Sequence, residues 1–183
     1  MTKPAAKKDE VPTIHMSEAT VEDSMSDVEA WLNKYFGEDC PVKLSAAGRK
    51  IVVRFAPVVA LALGVLGLLF VYNFWRNGHN ISRNAQEYLG ITSGVSYLGT
   101  MWYVLAILLL VRSGLLLMAL KGLMNKSKFG WDMAFYAALV NCLVGVSYLF
   151  VSGYGFANFF MATFWSVIGL FLLFQTRHKF LGR

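Results

Sequence analysis

Four long apolar runs constrain this chain more than any other feature of its sequence. Each is long enough to cross roughly 30 Å of hydrocarbon as a helix that rises about 1.5 Å per residue. The 56% of hydrophobic residues in the chain also exceeds the roughly 45–50% typical of soluble domains. The sequence therefore predicts an all-α integral membrane protein, a bundle of four transmembrane helices. The four runs cover about residues 55–75, 98–120, 131–152 and 158–175.

The distribution of lysine and arginine predicts the orientation of this bundle. Ten of these residues flank one end, called here the basic end, whereas Arg76 and Arg83 flank the other. Because short cytoplasmic segments are enriched in lysine and arginine, we expect both termini in the cytoplasm. The ten residues are Lys43, Arg49, Lys50, Arg54, Lys121, Lys126, Lys128, Arg177, Lys179 and Arg183.

The first 43 residues are polar and carry most of the acidic residues of the chain. Residues 1–16 hold two prolines and mixed charge, which predicts a disordered tail. Over residues 17–43, apolar positions recur at three- and four-residue steps, so an acidic amphipathic helix and a linker are predicted. Its apolar stripe must dock on the membrane surface, on the bundle or on a partner protein. An acidic face favours protein over anionic lipid. The candidate docking face is Val21, Met25, Val28, Leu32 and Tyr35.

The membrane domain is expected to cover residues 44–176, followed by a basic cytoplasmic tail at 177–183. Between the first two apolar runs, residues 76–97 are expected to form an outer loop with one short helix over 82–89. Small residues recur four positions apart, as in Ala60 and Gly64, a spacing typical of closely packed transmembrane helices. We expect these small residues to form contacts within one bundle and not a dimer interface, because any bundle of four spans needs helix faces that pack closely.

Two parts of the chain resemble a group of small bacterial membrane proteins of uncharacterised activity. The resemblance covers about residues 28–69 and 115–149, with "VEAWLNKYF" and "GRKIVVRFAPVVALALGVLGLL" in the first part and "LLLMALKGLMNKSKFGWDMAFYAALV" in the second. Its most specific elements are Phe129-Gly130-Trp131 and the Phe135-Tyr136 pair. The resemblance implies a four-helix inner-membrane protein and assigns no activity, cofactor or catalytic residue.

Arg112 is the most unusual residue within the apolar runs, since its guanidinium keeps its charge. The leucines of the second run offset the roughly 2.5–3.5 kcal/mol that a mid-span arginine costs on insertion. Asn141 of the third run is expected at a similar depth, and Asp132 lies nearer the basic end. Our hypothesis is that Arg112 and Asn141 lock the second and third spans together. The alternatives are a bond to a freed backbone carbonyl, pairing with another chain, snorkelling to the interface toward Asp132, and a transport or ligand role.

The sequence offers no catalytic, cofactor-binding or metal-binding constellation. The histidines are scattered, the two cysteines stand far apart, and no nucleophile or phosphate-binding motif is present. The basic residues flank membrane runs, so nucleic acid is not expected as a partner. The expected function is a non-enzymatic membrane subunit or scaffold that docks a protein partner. The expected partners are the lipid bilayer and another membrane protein or a second copy. The alternative function is a small oligomeric channel or transporter with Arg112 in the pathway.

Overall fold

The computed structural model describes residues 18–37, 40–89, 97–151 and 155–181. Within its helices, the side chains at 18–25, 85–86, 88–89 and 97–98 are not described. The predicted tail at residues 1–16 and the side chains of Val21 and Met25 therefore lie outside the described residues. The described part of the chain is helical and contains no strand.

Five α-helices follow one another along the chain, and four of them are long and apolar enough to cross a membrane. This confirms an all-α fold with four candidate spans, the architecture of a multi-pass membrane protein. Short 3-10 turns at Tyr148–Phe150 and Arg177–Lys179 extend the last two helices. The helices are α1 (Glu18–Phe36), α2 (Ala46–Leu89), α3 (Tyr97–Met124), α4 (Lys128–Ser147) and α5 (Gly155–Thr176).

α2 is longer than the sequence predicts at both ends. Its 44 residues correspond to about 66 Å of helix, roughly twice the thickness of the hydrocarbon layer. The helix includes the basic lead-in before residue 55 and continues past residue 75, where a loop and a separate short helix were expected. It continues because Gly78 packs against Trp102 of α3, and the Ser82 hydroxyl donates to the Gly78 carbonyl at 2.8 Å. Pro57 lies inside this helix.

The bundle packs in chain order, with α2 against α3, α3 against α4 and α4 against α5. α2 and α5, the first and last spans, scarcely touch. A ring of four helices that is closed on three sides has a gap on the fourth side. This gap, between α2 and α5, is where the candidate site lies.

The core at the basic end is built around aromatic side chains. Trp131 is fully buried, stacks on Phe135 and meets Phe174 edge to face, with ring centroids 5.4 Å apart in both pairs. The Trp131 indole N–H donates to the Leu173 carbonyl at 3.0 Å, which joins α4 to α5. A second apolar cluster, around Phe74, Trp102 and Leu105, fills the opposite end.

The turn between α3 and α4 requires glycine on both sides. A Cβ atom on Gly130 would lie 2.2 Å from the carbonyl carbon of Gly122, which no real contact allows. Lys126 adopts the left-handed backbone conformation, with φ at 54°, and Ser127 caps α4 by accepting from the Gly130 N–H. The Phe-Gly-Trp signature thus combines a backbone contact at Gly130 with the buried indole of Trp131.

Candidate functional site: an apolar cavity between α2 and α5

A cavity of about 360 Å³ lies in the half of the bundle nearest the basic end. Its back wall comes from α3 and α4, and its sides come from α2 and α5. The lining includes Phe55 and Val59 of α2 and Trp165 of α5, whose side chains are exposed on the bundle surface. The cavity therefore opens through the gap between α2 and α5, toward the surroundings of the bundle.

Polar groups are few in this cavity. The polar residues of its lining are Arg112, Asn141, Ser166 and Thr176, and the remainder is aliphatic, aromatic or glycine. Arg112 is the charged residue of the cavity lining. Arg112 and Asn141 stand on the back wall, opposite the gap, at the end farthest from the basic residues.

Arg112 is half-buried and forms no hydrogen bond or ion pair with any residue that the structure describes. An arginine within a span normally faces the protein interior and pairs with an acid or a carbonyl. Tyr148 interacts electrostatically with the guanidinium, but no described acid or carbonyl pairs with it, so much of the hydration energy lost in an apolar cavity is not replaced. Arg112 is therefore placed to receive an acceptor from another molecule.

Asn141 forms a hydrogen bond with α5, whereas the sequence hypothesis placed its partner on α3. Its side-chain Nδ2 donates to the Ser166 hydroxyl at 2.6 Å, and that hydroxyl donates to the Ala162 carbonyl at 2.8 Å. The bond joins α4 to α5, whereas the hypothesis had Asn141 join α4 to α3 through Arg112. Arg112 and Asn141 share the lining of one cavity without a hydrogen bond between them.

Asp132 lies at the basic end, away from Arg112 along α4. The charged groups that act on it are Lys128, Glu29 and Arg177. Arg177 in turn forms an ion pair with Glu29 of α1, with its Nε 3.0 Å from the carboxylate, and lies over the Trp131 ring at 5.6 Å. Asp132 thus belongs to a charged cluster that joins α1 to the ends of α4 and α5.

Gln175, a residue that the sequence marked only as the end of a span, holds α1 to the bundle. Its side-chain amide donates to the Phe36 carbonyl at 2.8 Å and to the Gly37 carbonyl at 3.3 Å. Its side-chain oxygen accepts from the Leu44 N–H at 3.3 Å. One buried amide therefore satisfies the carbonyls at the C-terminus of α1 and an N–H at the end of the linker, just before α2.

The described residues of the candidate docking face of α1 differ in burial. Leu32 is buried, 7% exposed, and packs into the aromatic core of the bundle together with Phe36. Val28 and Tyr35 are 39% and 53% exposed along one flank of the same stripe, about 40° and 60° around the helix from Leu32. Part of the predicted face thus docks on the protein's own bundle, and part remains uncovered.

Together these features define a class: a multi-pass helical membrane protein with a cationic, mostly apolar cavity that is open at its side. No group of three or more His, Cys, Asp or Glu side chains in the described ranges could hold a metal ion. Comparison of the chain with known protein families, with curated proteins and with solved structures finds no match.

Proposed function

We propose that this protein is a non-enzymatic integral membrane subunit whose N-terminal helix docks a protein partner. The observation that supports this most is the uneven burial of α1. Leu32 and Phe36 pack into the bundle, while Val28, Trp31 and Tyr35 stay exposed along the flank beside them. We call these three exposed residues the α1 face.

The α1 face has the chemistry of a protein interface. Trp31 and Tyr35 are 59% and 53% exposed, and their ring centroids lie 4.8 Å apart. Exposed aromatic clusters of this kind mark interaction sites, since tryptophan and tyrosine are enriched among the residues that contribute most to binding. The helix that carries them is fixed by Gln175 and Arg177, so little conformational freedom is lost when a partner binds.

Charge favours a protein over the lipid surface as the occupant of the α1 face. α1 carries five acidic residues and one lysine. In the proposed orientation, with both termini in the cytoplasm of a bacterium and the spans in its inner membrane, α1 would lie near an anionic leaflet that repels it. A basic or neutral surface of another membrane protein, or of a second copy, avoids that repulsion.

Site-specific photocrosslinking in intact membranes tests this proposal. A photoreactive phenylalanine analogue at Trp31 should give one discrete protein adduct, whereas the same analogue at exposed Ala30, about 100° around the helix, should give little. Replacing Val28 and Tyr35 with serine should abolish the Trp31 adduct and leave the spans inserted. Adducts with lipid alone, or equal adducts at both positions, would contradict the docking role.

The alternative function is a small oligomeric channel or transporter, and one observation favours it: Arg112 lines a cavity. The apolar lining works against it, because an ion crossing there would meet few groups that replace its hydration shell. Anion flux into proteoliposomes, measured for the unaltered chain and for Arg112→Gln, separates the two functions. A flux that the substitution abolishes would favour transport.

A further inference from the structure

The cavity between α2 and α5 is apolar, opens at its side and contains one positive charge, Arg112, that forms no ion pair with a described residue. We propose that it binds a long-chain fatty acid, a single-chain amphiphile whose carboxylate pairs with Arg112. The acyl chain lies along α2 and α5. This inference is independent of the α1 face and of the partner that docks there.

Charge balance identifies the head group. Arg112 is the charged residue of the lining, and it forms no ion pair with a described residue. The two oxygens of a carboxylate match the fork of a guanidinium, and one negative charge neutralises one positive charge. A phosphate monoester would bring a second negative charge, for which the lining offers no second cation. The neutral pair removes the cost of an unpaired charge in an apolar cavity.

The polar neighbours of Arg112 fit a small head group. Asn141 is held by Ser166, and the Ser166 hydroxyl proton is committed to the Ala162 carbonyl. The second N–H of the Asn141 side-chain amide remains available in the cavity that Arg112 also lines. The donors at this end therefore suffice for the two oxygens of a carboxylate, and no larger set of donors is present for a sugar or glycerol head.

The shape of the cavity identifies the tail. Its lining on α2 runs from Ile51 to Leu63, which is about 18 Å of helix. Its volume of about 360 Å³ lies in the range of small-molecule sites. A single flexible acyl chain follows this long apolar lining and enters through the gap between α2 and α5.

Two glycines supply a blocking variant and a matched control. A Cβ atom on Gly169, which lines the cavity, or on Gly114, which does not, would meet nothing within 4 Å. A phenylalanine ring at Gly169 therefore enters the cavity without a clash at its first carbon. The same ring at Gly114, also in the middle of a span, enters open space outside the cavity.

The experiment measures binding of radiolabelled palmitate to the purified full chain in phosphatidylcholine nanodiscs, with unlabelled hexadecanol as a neutral competitor. We expect saturable palmitate binding that hexadecanol competes at least tenfold less well than palmitate. Arg112→Gln and Gly169→Phe should each weaken palmitate binding at least tenfold, and Gly114→Phe should leave it within twofold. The thermal midpoint of each variant shows whether it is folded.

Several outcomes would overturn the proposal. One is equal competition by palmitate and hexadecanol, since the charge would then be irrelevant. Another is unchanged palmitate binding by folded Arg112→Gln, or by Gly169→Phe. A third is no palmitate binding together with an Arg112-dependent complex with another chain, which would assign the guanidinium to a protein carboxylate. Photocrosslinking at Trp31 is unaffected by any of these results, so the two proposals fail separately.

Discussion

The side chains of Asn141 and Ser166 form a 2.6 Å hydrogen bond that joins α4 to α5 beside the cavity. The same Ser166 hydroxyl donates to the carbonyl one turn back along its own helix. The bond therefore fixes an amide that lines the same cavity as Arg112 and sets the spacing between two walls of the site. Arg112 forms no hydrogen bond or ion pair with a described residue, which is the basis for proposing a ligand there.

A double-mutant cycle on Asn141→Ala and Ser166→Ala should show coupling. Hydrogen bonds between transmembrane helices contribute about 0.6 kcal/mol on average and roughly 1.7 kcal/mol at most, so a coupling free energy in that range is expected. The measurement is unfolding in mixed micelles with increasing sodium dodecyl sulfate. The matched cycle on Arg112→Gln and Asn141→Ala should show coupling near zero. A coupling free energy for Arg112 and Asn141 that exceeds the one for Asn141 and Ser166 would support the original hypothesis, in which Arg112 and Asn141 join α3 to α4.

Replacing Gly130 with alanine should destabilise the bundle. The added Cβ would lie 2.2 Å from the Gly122 carbonyl carbon and 2.3 Å from the Leu123 nitrogen, so the two backbones must separate. Overpacking of this kind costs about 1–3 kcal/mol. The thermal midpoint in detergent should fall for Gly130→Ala and stay level or rise for Gly114→Ala, which meets open space. Equal midpoints in the two variants would refute the close contact at this turn.

Replacing Gln175 with leucine should release α1 from the bundle and leave the spans in place. The buried amide makes three bonds, to Phe36, Gly37 and Leu44, and each buried polar group left without its partner costs about 1–3 kcal/mol. Hydrogen exchange should therefore speed up in residues 26–37. Asn73→Ala serves as the control, since the Asn73 side chain bonds only locally, to the Leu69 carbonyl. Unchanged exchange in residues 26–37 of the Gln175 variant would show that α1 is held by its apolar contacts alone.

Replacing Trp131 with phenylalanine should retain the aromatic packing and remove the bond to the Leu173 carbonyl. The expected loss is about 1 kcal/mol of unfolding free energy, with the helices still assembled. Trp75→Phe is the control, because Trp75 is exposed and Tyr103, which its ring meets edge to face, remains. A shift in thermal midpoint for Trp75→Phe as large as that for Trp131→Phe would argue against the Leu173 bond.

The four spans were predictable because each run is long, apolar and nearly uncharged, and few structures other than a transmembrane helix have this pattern. The full length of α2 was not. Nothing local in residues 76–89 excludes a loop, and the helix continues there because Gly78 packs on Trp102 and Ser82 bonds back to it. Contacts between distant segments, which a single sequence does not display, decide such boundaries.

The candidate site was predictable in part. Arg112 and Asn141 were expected at a similar depth, and they line one cavity. The partner of Asn141 depends on how α4 and α5 are rotated about their own axes. Hydropathy does not determine that rotation, because these helices are apolar on most of their faces. Gln175 bonds to backbone carbonyls 138 and 139 positions away. Every residue has a backbone carbonyl, so the sequence does not indicate which ones Gln175 contacts. A lone amide at the end of an apolar run was the only available signal.

Cysteine labelling tests most directly the central claim, four crossings with both termini on one side. The natural Cys40 and Cys142 are replaced with serine, and single cysteines are placed at the exposed positions Ala30, Glu87, Asn125 and Lys179. In intact spheroplasts, a membrane-impermeant maleimide should label Glu87→Cys alone, and the other three should react only after the membrane is opened. Labelling of the cysteine at 30, 125 or 179 in intact spheroplasts, or protection of the one at 87, would contradict the account.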